Sequence, residues 1–151
     1  MDPSPFERLL ADLSRADVRY LVVGGVACAL NGFARTTEDV DILVDSEPLN
    51  VRRMLDVLEL FGDGYARELR VEDFGDEEGA VRLIEDFPVD IFTRMGGRRY
   101  ADMLRYRKVF VGAAEIPYVD AEGLIVLKSG SLRERDRIDV ESLKRLREAA
   151  D

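Results

Sequence analysis

One segment restricts this chain more than any other. Leu21-Val22-Val23 runs into Gly24-Gly25, a short helical stretch follows, and Asp39-Val40-Asp41-Ile42-Leu43-Val44 begins a second apolar strand. A strand, a glycine turn, a helix and another strand form a compact α/β unit. The glycines permit backbone conformations closed to other residues and let N–H groups approach an anion at a helix start. Asp39 and Asp41 stand at i and i+2, so on a strand both face one side while Val40, Ile42 and Val44 face a core. A third carboxylate, Asp90, interrupts the apolar run Phe87-Pro88-Val89-Asp90-Ile91-Phe92. Two acid-bearing strands that converge would suit a triphosphate and divalent metal ions.

Each element has a blander explanation. A glycine pair at a strand end is often only a turn that needs positive φ. An Asp-x-Asp pair also occurs on solvent-facing strands, and Asp90 would fit the polar side of an edge strand opened by Pro88. Asp86, four residues before Asp90 and on the same face, competes for the role of third acid. The combination of spacing and residue type favours the phosphate and metal interpretation.

Glycine and aspartate order here resembles the DNA polymerase β-like nucleotidyltransferase superfamily. The spelling Gly-Gly-x-Ala-x-x-x-x-Gly-x-x-Arg-Thr-x-x-Asp-x-Asp, from Gly24 to Asp41, is similar to small bacterial nucleotidyltransferases of the AbiEii and minimal types. Many superfamily members carry Gly-Ser where this chain has Gly24-Gly25, and the serine there is a phosphate ligand. Here the backbone must do more of the gripping. The resemblance implies an α/β (α+β) palm-like core, a mixed sheet with helices mainly on one face. It implies Mg²⁺ (or Mn²⁺) held by Asp39, Asp41 and Asp90, with Asp90 also taking the proton of an acceptor hydroxyl. Gly24, Gly25, Arg35, Thr36, Lys128, Asp136 and Asp139 are its nucleotide-binding candidates, and either Asp136 or Asp139 could face the pocket. The implied activity is transfer of an NMP from a nucleoside triphosphate to a tRNA 3′ end, a protein or a small molecule. A toxin–antitoxin setting also follows from the resemblance, while the small size leaves little room for an acceptor-binding domain, which a partner protein could supply, and a homodimer is open. The alternative is a catalytically silent nucleotide-binding or antitoxin partner protein of the same fold.

Composition trims the remaining options. The chain, 151 residues long, reads as one domain spanning 1–151. Histidine is absent and Cys28 is the sole cysteine. Histidine-based nucleophilic catalysis and zinc chemistry are thereby disfavoured, and a reducing cytoplasmic setting is expected. No apolar run is long enough to span a membrane, and Met1–Pro5 has no signal-like character. The net charge of −9 argues against bulk attraction to nucleic acid. Arg98-Arg99, Arg105-x-Arg107-Lys108 and Lys128 with Arg133, Arg135 and Arg137 offer local positive surface, whereas Glu72 to Glu85 is acidic.

Periodicity predicts helices over Phe6–Ala16, Gly25–Asn31, Pro48–Leu60, Tyr100–Tyr106, Ala121–Ser129 and Asp136–Ala149. Strands are expected at Arg19–Val23, Val40–Val44, Pro88–Phe92, Lys108–Val111 and Ala114–Val119. A further hairpin is expected to join Arg67–Val71 to Ala80–Ile84 around Asp76–Gly79.

Overall fold

The computed structural model describes residues 4–33, 37–129 and 134–150. Its centre is a six-stranded mixed sheet in the order β3-β4-β2-β1-β8-β7. These strands are β1 (Tyr20–Val23), β2 (Val40–Val44), β3 (Ala80–Ile84), β4 (Pro88–Phe92), β7 (Arg107–Val111) and β8 (Glu115–Val119). β1–β2, β3–β4 and β7–β8 pair antiparallel, whereas β2–β4 and β1–β8 pair parallel. The described helices are α1 (Pro5–Arg15), α2 (Gly24–Leu30), α3 (Pro48–Leu58), α4 (Tyr100–Met103), α5 (Ala121–Lys128) and α6 (Glu134–Ala150). This is the mixed α+β core expected from the sequence.

Local chemistry accounts for the element ends. The Ser4 hydroxyl accepts a hydrogen bond from the Glu7 amide, and Pro5 occupies the first turn of α1. Leu9, Leu10 and Leu13 then face inward. α3 also opens on a proline, Pro48, and buries Val51, Met54, Leu55 and Leu58 at helical spacing. All four residues of β1 are buried, so the sheet centre is covered on both sides. The Tyr20 hydroxyl donates to the Leu10 carbonyl, which fixes α1 against the face that carries Tyr20 and Val22.

One polar anchor lies inside this core. Asn50 is fully buried, accepts from the Arg19 amide at 2.7 Å and donates to the Arg19 and Asp45 carbonyls at 3.0 and 2.8 Å. It ties the start of β1 to the exit of β2. Asn50→Ala strands these backbone groups, and we expect a loss of about 2–4 kcal/mol, read as a lower urea midpoint at unchanged slope.

The expected Arg67–Val71 strand is not formed. Residues Tyr65–Glu68 and Val71–Asp73 are short 3₁₀ turns, begun by Gly64 at φ +78° and held inward by Ala66 and Phe74. β3 instead pairs with β4, which follows after only Glu85–Phe87. The nearer partner needs the smaller loop closure. β4 is consequently an interior strand between β3 and β2, not an edge, and Pro88 is accommodated as its first residue. A two-stranded hairpin, β5 (Arg94–Met95) with β6 (Arg98–Arg99), turns through Gly96-Gly97 and was not anticipated.

Candidate active site

Strand register assembles the acids. In the parallel β2–β4 pair, Asp41 lies beside Asp90. Asp39 precedes β2 on the same side as Asp41, two residues along. Each of Asp39, Asp41 and Asp90 offers a carboxylate oxygen within 4.8 Å of the other two. Asp86 takes no part, because it is exposed in the turn between β3 and β4.

Gly24 is required by this packing. Its φ is +66°, and a Cβ placed there would stand 2.0 Å from Asp41 Oδ2 and 2.9 Å from Asp41 Cβ. The Asp41 side chain therefore occupies the space that any other residue at position 24 would fill. Gly25 is buried in the first turn of α2.

Electrostatics bear heavily on Asp41. Burial, then the charge of Asp90, a hydrogen bond with Asp90 and the charge of Asp39 push its pKa up to about 7, against a smaller downward pull from Lys128. An acidic cluster in this condition is relieved by a cation. The donors are all carboxylate oxygens, which suit Mg²⁺ or Mn²⁺ better than zinc. The residues present therefore fit a divalent ion.

A protein cation already meets two of the acids. Arg82 on β3 lies directly across from Asp90. Its Nε and Nη2 donate to the two Asp90 oxygens at 2.8 and 3.0 Å, and Nη2 also donates to Asp39 Oδ2 at 2.9 Å. The pairing raises the Arg82 pKa, mainly through the hydrogen bond and charge of Asp90. The sequence reading assigned Arg82 no role. The available signal was a single charge within the apolar strand Val81–Ile84.

A cavity of about 430 Å³ adjoins the cluster, lined by Gly24, Asp41, Phe92, Leu124, Lys128 and Asp136, among others. Lys128, at the end of α5, donates to Asp139 Oδ2 at 2.8 Å and to Asp136 Oδ1 at 3.3 Å. Asp136 reaches the cavity wall, whereas Asp139 is 1% exposed and supports Lys128 from within. Arg35 and Thr36 lie outside the described residues. Neighbouring Thr37 donates from its hydroxyl to the Asp39 carbonyl at 3.2 Å.

The β5–β6 hairpin closes one side of the cavity through Met95 and Gly96. A Cβ on Gly96 would lie 2.8 Å from the Leu127 carbonyl oxygen, so hairpin and α5 meet backbone to backbone. Part of the acidic stretch from Glu72 to Glu85 has a structural use here. Asp76 pairs with Arg94 and Arg99, and Glu78 accepts from the Gly97 amide.

The fold is similar to that of a crystal structure from Thermotoga maritima described as a putative nucleotidyltransferase. The TM-score is 0.55 at 18% identity, over 95% of this chain and 85% of that one. No protein-family model matches the chain, and no curated protein matches it by sequence. The two chains accordingly share a mixed α+β fold. No helix among the described residues is long and apolar enough to cross a membrane.

Proposed function

We propose that this chain is a divalent-metal-dependent nucleotidyltransferase that moves an NMP from a nucleoside triphosphate to an acceptor hydroxyl and releases pyrophosphate. The observation that carries the reading is the convergence of Asp39, Asp41 and Asp90 from two neighbouring strands, beside a cavity walled by Lys128. Asp39, Asp41 and Asp90 would hold Mg²⁺ or Mn²⁺. The chemistry such an ion supplies is neutralisation of the triphosphate and alignment of the entering and leaving oxygens. Asp90 accepts the proton of the incoming hydroxyl on a carboxylate oxygen. Gly24 and Gly25 present backbone to the phosphates, with Arg35 and Thr36 as neighbouring candidates. Lys128 supplies a point charge to a phosphate oxygen, oriented by Asp136 and Asp139. The acceptor is a tRNA 3′ end, a protein side chain or a small molecule, and a toxin–antitoxin pairing fits the Gly24–Asp41 spelling.

One observation favours a second reading, a silent nucleotide-binding or antitoxin partner protein. Arg82 already pairs with two of the acids and offsets part of their charge. Turnover separates the two readings, whereas nucleotide binding does not. Each α-labelled nucleoside triphosphate is incubated with Mg²⁺ and either total RNA or protein lysate, and a scan of small hydroxyl compounds covers the third acceptor class. Transfer that disappears in Asp39→Ala/Asp41→Ala is the expected result. Triphosphate binding without transfer to any class would favour the silent protein.

A further inference from the structure

Among the described residues, the side-chain hydrogen bonds of Arg82 go to the acidic cluster, and their geometry is specific. Two nitrogens grip both oxygens of Asp90, and one of them also reaches Asp39. Such a two-point fork is the arrangement in which a guanidinium matches a carboxylate best. The bonds use oxygens that a divalent ion would also need. A metal ion and this guanidinium therefore draw on the same carboxylates.

The location of Arg82 makes exchange physically accessible. Its side chain is 50% exposed, and β3 is the outermost strand of the sheet. The Asp90 side chain is only 13% exposed. The guanidinium thus covers the acids from the solvent side and can swing into water without unpacking the core. Lys128, a second cation near Asp41 among the described residues, is 11% exposed and committed to Asp136 and Asp139. Of these two cations, Arg82 is the one placed to leave.

We propose that Arg82 is a resident counter-ion of the acidic cluster, which a divalent ion must displace before Asp39 and Asp90 become ligands. This rests on the reading of Asp39, Asp41 and Asp90 as a metal site. In that role Arg82 is a positioning residue. It holds Asp39 and Asp90 together and offsets part of the cluster's charge without metal, and it sets the metal concentration at which the site fills. A charge-neutral replacement removes the competitor, and the three acids then attract a cation more strongly.

The test is Mn²⁺ binding by calorimetry at fixed pH and salt, without nucleotide, on the wild type, R82Q, R82K and D41N. R82Q is expected to bind Mn²⁺ roughly five- to tenfold more tightly than the wild type. R82K keeps the charge and should remain within about threefold of the wild type. In melts with chelator R82Q should unfold at a lower temperature than the wild type, and Mn²⁺ should raise its midpoint further. Equal or weaker Mn²⁺ binding by R82Q overturns the proposal. If D41N still loses binding in that case, the metal-site reading survives it. Binding that persists unchanged in D41N, or no Mn²⁺ binding by any of the four, removes the metal-site reading together with the proposal. Should R82Q not fold, Arg82→Met, equally neutral on an exposed edge strand, takes its place under the same criteria.

Discussion

Asp41→Asn is expected to abolish nucleotidyl transfer while making the metal-free protein more stable at neutral pH. The two effects share one cause. Asp41 is crowded by Asp39 and Asp90 and largely removed from water, and its pKa rises from 3.8 to about 7. A carboxyl with a raised pKa holds its proton in the folded state over a range where the unfolded chain has lost it. Stability therefore falls as pH rises from about 4 to 7, and the full penalty is present above that window. Asparagine never ionises, so it escapes the penalty. The gain should be on the order of 2 kcal/mol at pH 7.5, in the presence of chelator, and should vanish below about pH 4. Transfer should drop by at least about a hundredfold, because on the proposed reading a carboxylate that holds the metal ion is gone. Thermal melts across pH, paired with a transfer assay, read both effects. A variant that is destabilised at pH 7.5 and unchanged at pH 4 would contradict the assigned environment of Asp41.

Gly24→Ala should be the most damaging single-methyl change in the protein. It forces a side chain into φ +66° and brings Cβ against three Asp41 atoms, at 2.0, 2.8 and 2.9 Å. The backbone strain and the overpacking together should reduce stability by about 2–4 kcal/mol. The displaced Asp41 would no longer sit in register with Asp90, so Mn²⁺ affinity should fall as well. A double-mutant cycle separates the contributions. In an Asp41→Gly background the three contacting atoms are absent, and Gly24→Ala should retain only the backbone strain, about 1–2 kcal/mol. An equal loss in both backgrounds would show that Asp41 does not constrain position 24.

The parts of the site legible in the sequence are those whose geometry is local. Asp39 and Asp41 share a face because strand periodicity is two, and Gly24 adjoins a strand end where positive φ is common. Asp90 was distinguishable as a charge in an apolar strand, although its competition with Asp86 was settled only by where the β3–β4 turn falls. Arg82 was invisible for a different reason. Its importance depends on β3 pairing with β4, and the sequence also allowed β3 to pair with residues 67–71. That segment has apolar residues at Leu69 and Val71, but it forms 3₁₀ turns that pack Ala66 and Phe74 inward. Partner choice between strands is a property of the whole chain, and no local pattern records it. The β5–β6 hairpin was missed because two-residue strands have no periodicity to detect. Asp136 and Asp139 both match a loose downstream motif, yet one turn of helix places the first at the cavity and the second beneath Lys128.

The contact between Gly96 and Leu127 fixes a length. Two segments about thirty residues apart touch with no side chain between them, so the separation of hairpin and helix equals the thickness of two backbones. Lys128 follows Leu127 directly, and Asp41 stands across the same cavity. A bulkier residue at position 96 would act as a shim. It would tilt the end of α5 outward and carry the ammonium away from the acids without altering a single charged group. The reach between the cation and the carboxylates is thus gauged by a glycine in the cavity wall.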